Sequence, residues 1–292
     1  MCNLNILIRN KQNKNKLVTP FLMAVSSASF KNNNDGEGFY FNKLVKDFNK
    51  INIFKHNKNI NKTNIILSHQ RFSTSGFNKK YIQPFESEDF VFLHNGVISE
   101  YDINQNSDTF NLFNEFKKTF KSYGAPNRES NIVKTIKKIF DNLSGRWSIT
   151  LLDKKTNLIY YFKEDSTNIN FYKNHDFIYI STTEDNKVFL KMLKTDFKTK
   201  KIKPYNIYKI NYLDLSIKKI SEIKKNKNDY KYLTYFESEK SKPKREKSKT
   251  IASTNCGSCE LCCIKTNSYD FNNSCYLCLK CKEYYTKYPN YV

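Results

Sequence analysis

Alternating polar and apolar residues predict a series of β-strands along most of the chain. A period of two residues puts successive side chains on opposite faces of a sheet, and short apolar runs bounded by polar clusters indicate buried strands. The predicted strands are 3–8 (NLNILI), 38–41 (GFYF), 64–70 (NIILSHQ), 90–98 (FVFLHNGVI), 148–153 (SITLLD), 158–162 (LIYYF), 177–183 (FIYISTT) and 206–212 (NIYKINY). They fall into two groups, before and after a central stretch in which the apolar residues have a different spacing.

That central stretch predicts two amphipathic helices, at 107–122 and 129–143, because apolar residues recur there every three or four positions. Strands grouped around a pair of helices favour a layered α+β sandwich over βαβ alternation. We predict one mixed body at residues 2–220, a basic linker at 221–250 whose charges show no apolar period, and a Cys-rich module at 251–292.

The composition is strongly basic, with a formal net charge of +22 over 292 residues. One interpretation is an anionic partner such as nucleic acid or a nucleotide. The other is compositional bias from an AT-rich coding sequence, since Lys, Asn, Ile, Phe and Tyr are abundant and Gly and Pro are scarce. No apolar run approaches the roughly 18 residues of a membrane span. The sequence therefore predicts a cytoplasmic protein with reduced thiols and no membrane association.

Seven of the eight cysteines lie after residue 255 and have the spacing of metal ligands. The candidate metal ligands are Cys256, Cys259, Cys262, Cys275, Cys278 and Cys281. Two alternative sets of four have the form C-x2-C-x15-C-x2-C, which is typical of zinc sites, and the spacing does not choose between them. Each cluster is also a C-x2-C-x2-C triplet, as in iron–sulfur proteins, but Thr266 and Tyr285 occupy the offsets of the fourth ferredoxin-type ligand. Zinc is the favoured cofactor, and an iron–sulfur cluster is the alternative.

The eighth cysteine, Cys2, directly follows the initiator methionine. Removal of Met1 would leave a thiol and a free α-amine on the same residue, although Cys2 could equally be only the first residue of a strand. The α-amine, with a reference pKa of about 7.7–8.0, can act as the base for such a nucleophile. Amide hydrolysis also needs oxyanion donors, and an amino-acid substrate needs an Arg for its carboxylate and an acid for its ammonium group. One candidate for each role is present: Asn95, Gly96, Arg71 and Asp108.

Five short segments in a fixed order carry a family resemblance. They are DGEG (35–38), SHQRFSTSG (68–76), QPF (83–85), HNG (94–96) and SDTF (107–110). Behind Met-Cys, this set resembles the class II glutamine amidotransferases, which are N-terminal-nucleophile (Ntn) hydrolases. The corresponding family patterns are D-G-x-G, G-H-x-R-x-[SA]-T-x-G, the oxyanion motif H-N-G with the QPF that precedes it, and S-D-[ST]-E. The resemblance covers about residues 2–215.

The resemblance implies a fold and a role for each matched residue. The fold would be the four-layer αββα sandwich of Ntn hydrolases, followed here by the small metal-binding module. Cys2 would be the nucleophile that forms a γ-glutamyl thioester, and Asn95 and Gly96 would hold the oxyanion. The residues implied to bind L-glutamine are Arg71 for its carboxylate, Asp108 for its α-amino group, and His94, Ser73 and Thr74. His69 and His94 are expected to support the motifs rather than to catalyse, and hydrolysis would need no cofactor.

The sequence departs from the family pattern at three positions: Asn3 and Ser68 stand where the family has Gly, and Phe110 stands where it has Glu. None of these departures removes a reacting group, although Asn3 lies next to the nucleophile. A protein with weak or no activity is therefore an open alternative. It would serve as an adaptor that is stabilised by a bound metal ion and that binds nucleic acid or docks to a partner.

No motif of an ammonia-using synthase is present in the chain, and the residues after the predicted body are too few for such a domain. We therefore expect the ammonia to reach a synthase on another chain. A nucleotide and a nucleic-acid base are the candidate acceptors.

Overall fold

A computed structural model describes residues 2–10, 18–72, 78–101, 107–124, 127–182, 190–194 and 196–226, together with four two-residue strands between 257 and 276. The chain divides into two compact units, Met1–Asn226 and Lys227–Val292. Within the described ranges, none of the helices has the length and apolar character needed to cross a bilayer.

The first unit contains strands and helices in alternating groups. Its described strands are β1 (Asn3–Arg9), β2 (Glu37–Tyr40), β3 (Leu44–Asp47), β4 (Ile65–Gln70), β5 (Phe85–Glu86), β6 (Phe90–Val97), β7 (Arg146–Asp153), β8 (Leu158–Lys163), β9 (Asn170–Lys173), β10 (Phe177–Ser181), β11 (Lys198–Thr199), β12 (Asn206–Asn211) and β13 (Ser216–Glu222). Its described α-helices are α1 (Val18–Phe30), α2 (Asn57–Ile60), α3 (Asp108–Ser122) and α4 (Arg128–Phe140). Short 3-10 turns lie at Ile53–His56, Lys79–Tyr81, Ser99–Tyr101 and Lys191–Leu193.

These strands form two antiparallel sheets. The first sheet has the order β11-β9-β10-β1-β4-β2-β3, and the second has the order β13-β12-β8-β7-β6-β5. β1 lies in the middle of the first sheet, between β10 and β4. The N-terminal strand is therefore supported by a partner on each side.

The two sheets pack face to face, so alternate side chains of each strand enter a shared core. Members of this core are Leu4, Ile6, Ile8, Leu67, Val91, Leu93, Leu152, Ile159, Tyr161, Ile178, Ile180 and Ile210. Burial of one such aliphatic side chain stabilises the fold by roughly 1.5–3 kcal/mol. The residues of β1 from Leu4 to Arg9 are buried on both faces of the sheet, and they include the polar residues Asn5 and Arg9.

Helices cover the outer faces of both sheets. α1 lies against the first sheet, where the rings of Phe21 and Tyr179 meet edge to face with centroids 5.2 Å apart. α3 and α4 lie against the second sheet and bury their apolar stripes in a second core. This core includes Phe90, Phe92, Leu112, Phe113, Phe116, Ile132, Ile136, Phe140, Trp147 and Phe162. The layer order is helix, sheet, sheet, helix, as expected from the resemblance.

The elements predicted from the sequence agree with the structure. Each predicted strand coincides with an observed strand to within two residues at either end, and both predicted helices are found to within three residues. The prediction missed α1 because its residues are buried on every side, so they show no alternation between a polar and an apolar face. It also missed the short or exposed strands at the sheet edges, of which β11 and β13 are examples.

The last strand of the first unit is followed by a short segment that packs on the second sheet. β13 continues to Glu222, and the compact unit continues to Asn226. Ile223 is only 4% exposed and packs in the core of the second sheet. Charged residues surround this isoleucine in the sequence, and its backbone N–H donates to the Tyr205 carbonyl at 2.8 Å.

The second unit contains the described strands β14 (Gly257–Ser258), β15 (Lys265–Thr266), β16 (Tyr269–Asp270) and β17 (Cys275–Tyr276). β14 pairs with β15, and β16 pairs with β17, both in antiparallel register. Of the predicted metal ligands, Cys275 contributes its backbone to β17. Cys256, Cys259, Cys262, Cys278 and Cys281 lie outside the described residues.

Candidate active site

The candidate site begins at the N-terminal end of β1. β1 pairs with β4 so that Asn3 lies opposite Gln70. Cys2 is thereby placed beside the residues that follow Gln70. The backbone N–H of Phe72 donates a hydrogen bond to the Cys2 sulfur at 3.3 Å, and the thiol lies 3.4 Å from the Phe72 carbonyl oxygen. The register of two strands therefore brings the second residue of the chain next to the loop that carries Arg71.

The environment of Cys2 favours the protonated thiol. Burial raises its pKa above the ordinary value and is the largest influence on it. The hydrogen bond to Phe72 and the positive charge of Arg71 act in the opposite direction, whereas Asp108 adds to the rise in the pKa. Since the thiolate is the reactive form, this sulfur needs a base before it can attack a substrate.

Arg71 and Asp108 bring charges of opposite sign to the surroundings of this thiol. Arg71 is 5% exposed, and its backbone N–H donates to the Gly36 carbonyl at 2.8 Å. Burial lowers the pKa of Arg71, while Cys2, Asp35 and Asp108 oppose that change. The Asp108 side chain is 15% exposed. A cation and an anion close to one nucleophile suit a zwitterionic substrate such as an amino acid.

Asn95 and Gly96 lie near the end of β6, opposite Ser148 and Trp147 of β7. Gly96 has a φ of +143°, and a Cβ at this position would lie 1.8 Å from the carbonyl oxygen of Arg146. The position therefore requires glycine. Asn95 is 3% exposed, and its carboxamide oxygen has no hydrogen-bond partner among the described residues. This buried oxygen beside the glycine can accept a hydrogen bond from a ligand.

His94 ties this end of β6 to the first turn of α3. Its Nδ1 lies 2.8 Å from the Thr109 hydroxyl oxygen. Asp108 accepts hydrogen bonds from the Thr109 backbone N–H at 2.6 Å and from the Ile98 N–H at 3.0 Å. These contacts hold the Asp108 carboxylate in a fixed position relative to Asn95.

Gln83, in the QPF segment, supports the same strand from its other side. Its side-chain oxygen accepts the His94 backbone N–H at 2.7 Å, and its amide lies 3.4 Å from the Thr109 hydroxyl. The Gln83 carbonyl oxygen lies 2.0 Å from the point that a Cβ on Gly38 would occupy. Gly38, from the DGEG segment, is therefore required for the first sheet to approach this part of the second.

The two histidines of the motifs lie in buried surroundings that disfavour their charged forms. Burial, with smaller contributions from the nearby His94 and Arg71, lowers the pKa of His69 to about 3. Burial also lowers the pKa of His94. Both rings are therefore neutral at pH 7. His94 uses its Nδ1 on Thr109, and its Nε2 lies 3.5 Å from the Arg146 carbonyl oxygen.

The three departures from the family pattern fit the fold without distortion. Asn3 and Ser68 lie in the regular β1–β4 ladder, where Asn3 pairs with Gln70 and Ser68 pairs with Asn5. Phe110, at the usual Glu position, packs its ring against Tyr81 and Phe85, with centroid distances of 5.6 and 5.7 Å.

Most of the residues predicted for the site lie in one region, and two lie outside the described residues. Cys2, Arg71 and Asp108 act on one another electrostatically, and hydrogen bonds through Thr109 connect Asp108 to His94, the neighbour of Asn95. Ser73 and Thr74 are the two that are not described. The sequence gave no role to the Thr109 hydroxyl or to the Phe72 backbone N–H. The sequence indicated Gln83 only as part of the QPF segment and did not indicate its contacts.

No protein-family model matches the sequence, and a search of curated proteins finds no match. Solved structures do match. One is glutamine phosphoribosylpyrophosphate (PRPP) amidotransferase from B. subtilis complexed with ADP and GMP, with a TM-score of 0.51 at 13% identity, over 75% of this chain and 49% of that chain.

A second similar structure is described as the allosteric regulatory enzyme of purine biosynthesis. Its TM-score is 0.53 at 14% identity, over 75% of this chain and 49% of that one. The chain thus spans about half the length of both structures. At these identities the likeness shows the fold alone: over the matched region the chain is folded like these two structures.

We predict that Gly96→Ala disrupts the site. The new Cβ cannot fit against the Arg146 carbonyl, and φ is unfavourable, so the free energy of unfolding should fall by about 2–4 kcal/mol. Gly124→Ala is the control, because Gly124 also has a positive φ but has no atom within 4 Å of its Cβ position. It should cost only about 1–2 kcal/mol. Chemical denaturation measures both changes, and equal losses would contradict the close approach at Gly96.

Proposed function

We propose that the unit Met1–Asn226 hydrolyses L-glutamine with Cys2 as the nucleophile. The observation that carries this proposal is the cluster of Cys2, Arg71 and Asp108, in which a partly buried thiol lies close to both a cation and an anion. The likeness to the glutamine PRPP amidotransferase structure supports it at the level of the fold.

In this mechanism the free α-amine of Cys2 activates the thiol once Met1 has been removed. The thiol is protonated at neutral pH because burial raises its pKa. The motif histidines are poor bases for it, since burial lowers the pKa of His69 to about 3 and also lowers that of His94. An α-amine has a reference pKa of about 7.7–8.0, which suits proton transfer near pH 8.

The sulfur attacks the side-chain carboxamide carbon of glutamine and forms a tetrahedral intermediate. Negative charge develops on the former carbonyl oxygen, where the Asn95 amide and the Gly96 backbone N–H would stabilise it. The α-ammonium then returns the proton from the thiol to the departing nitrogen, which leaves as ammonia. A water molecule hydrolyses the resulting γ-glutamyl thioester, so glutamate is released and the thiol is restored.

Recognition of glutamine would use the two charges beside the thiol. Arg71 can bind the substrate carboxylate through two parallel N–H bonds. The Asp108 carboxylate, which Thr109 and Ile98 hold in position, can accept hydrogen bonds from the α-ammonium group. Glutamine would thus be fixed at its amino-acid end, with its side-chain amide directed towards Cys2.

The ammonia would serve a synthase on another chain. The two similar structures are about twice as long as the matched region, since only 49% of each is covered. No motif of an ammonia-using synthase occurs in this sequence. A nucleotide or a nucleic-acid base remains our proposed class of acceptor.

For the second unit we propose zinc bound by thiolates of its Cys-x2-Cys pairs, with an iron–sulfur cluster as the alternative. Gly257 and Ser258 lie within the first such pair and Cys275 begins the last set, and each segment lies on one strand of a short antiparallel ladder. A module of some forty residues can bury only a small core, so a metal ion would be its main stabilising element.

Exposure of the Cys2 α-amine should be necessary for activity. A chain with a cleavable N-terminal peptide should be inactive before cleavage and release glutamate and ammonia afterwards, with a rate that rises through about pH 8 as the amine loses its proton. Cys2→Ala should remain inactive after cleavage. Equal activity before and after cleavage, or activity in the alanine variant, would refute the assignment.

Substitutions of Arg71 and Asn95 should change different kinetic constants, KM for Arg71 and kcat for Asn95. Arg71→Lys loses the bidentate contact and should raise KM for glutamine roughly 10- to 150-fold. Asn95→Ala should lower kcat about 100- to 1,000-fold with a much smaller change in KM. Arg128→Lys and Asn127→Ala, both at the start of α4, are matched controls that should change neither constant. A kcat effect at Arg71 and a KM effect at Asn95 would reverse the assigned roles.

Metal analysis of the purified full-length chain should find zinc in a colourless protein. A chelator should remove it, and serine replacements of Cys256 and Cys278 should reduce its stoichiometry. Deletion of residues 251–292 should leave glutamine hydrolysis intact, because the reacting groups lie in the first unit. Brown protein that contains iron would favour the alternative cofactor. An inactive truncated chain would show that catalysis depends on the second unit.

A further inference from the structure

A chain of buried polar side chains crosses the first sheet next to the candidate site. Its members are Ser26 of α1, Glu37 of β2, Gln70 of β4, Asn5 of β1, and Tyr179 and Ser181 of β10. Each is 2% exposed or less. Buried polar groups need hydrogen-bond partners, and these four neighbouring strands supply them to one another.

The hydrogen bonds run in one direction along this chain. The Tyr179 and Ser181 hydroxyls each donate to the Asn5 side-chain oxygen at 2.8 Å. The Asn5 amide donates to the Gln70 side-chain oxygen at 3.1 Å, and the Gln70 amide donates to Glu37 at 2.9 Å. The chain therefore ends at the Glu37 carboxylate.

The Glu37 carboxylate accepts two further hydrogen bonds. The Ser26 hydroxyl donates to Oε1 at 2.5 Å, and the Ile51 backbone N–H donates to Oε2 at 2.8 Å. Glu37 is 0% exposed. Burial raises its pKa, whereas these donors and the nearby Lys50 lower it. A carboxylate accepts hydrogen bonds on both oxygens and can therefore satisfy all three donors. An amide in its place could not, because its nitrogen is a donor.

The members of this chain are next to the site residues in the sequence. Glu37 follows Gly36, whose carbonyl accepts the Arg71 backbone N–H at 2.8 Å. Gln70 precedes Arg71, and it pairs with Glu37 on one side and with Asn3 on the other. Any shift of Gln70 in its strand would thus move Arg71 and would also change the position of Cys2 relative to Phe72.

We propose that Glu37 is a positioning residue that, through Gln70 and Asn5, holds β2, β4 and β1 in the arrangement that places Cys2 and Arg71 for reaction. The inference rests on the proposed glutamine hydrolysis. Glu37 and Gln70 occupy the variable positions of the D-G-x-G and G-H-x-R patterns, so the motifs assign them no role. Neither side chain touches the substrate in this proposal.

The test replaces Glu37 by Gln. The new amide must direct an N–H₂ group towards either the Ile51 N–H or the Ser26 and Gln70 donors, so at least one hydrogen bond is lost. Asp153→Asn is the control. Asp153 is also a fully buried carboxylate, bonded to Arg128 at 2.7 Å, but it lies at the end of β7 opposite Phe90, away from Asn95.

We expect Glu37→Gln to lower kcat and raise KM together, with kcat/KM reduced about 10- to 100-fold, as for a small displacement of reacting groups. The amide resonance of Phe72 should also shift in an NMR spectrum, because this N–H donates to the Cys2 sulfur. Asp153→Asn should destabilise the fold but leave kcat/KM and this resonance unchanged.

Ser26→Ala and Tyr179→Phe are milder variants that decide the matter if Glu37→Gln does not fold. Each removes one donor from an end of the chain and should reduce kcat/KM a few-fold in the folded protein. The proposal is overturned if folded Glu37→Gln, or both milder variants, keep wild-type kcat, KM and Phe72 resonance. It is also overturned if Asp153→Asn loses as much activity as Glu37→Gln. A wild-type chain that does not hydrolyse glutamine would instead refute the proposed function.

Discussion

The pairing of β1 with β4 is the constraint on which the candidate site depends. Asn3 opposite Gln70 puts Cys2 beside Phe72 and Arg71, which are some seventy residues away in the sequence. Since side chains alternate between the faces of a strand, a shift of one residue would turn Cys2 away from this partner. The register is well determined, because β1 is central in its sheet and its apolar side chains fill the core between the sheets.

The second sheet contributes the other half of the site, and glycine allows the two halves to meet. Gly38 lets β2 approach the Gln83–Pro84 segment, and Gly96 lets β6 approach the Arg146 carbonyl. Backbone and side-chain hydrogen bonds that involve His94 then fix the position of Asp108 relative to β6. The chemistry we propose needs no residue from outside the first unit.

Much of this fold can be predicted from the sequence because strands and amphipathic helices leave periodic patterns. α1 leaves none, since its residues are buried on every side. The burial of Ile223 could not be predicted either, because it is a single apolar residue among charges. At the site, short motifs identified the candidate reacting groups. The polar chain through Glu37 and Gln70 could not be predicted, because its members are distant in sequence and meet only through the strand order.

The most direct test of the central claim is a mass measurement on the N-terminal peptide after an acid quench during turnover of L-glutamine. If Cys2 is the nucleophile, the peptide begins at Cys2, and a fraction of it carries one γ-glutamyl group that is lost on treatment with hydroxylamine, as expected for a thioester. A peptide that retains Met1 in an active protein, or a γ-glutamyl group on any other residue, would contradict this account.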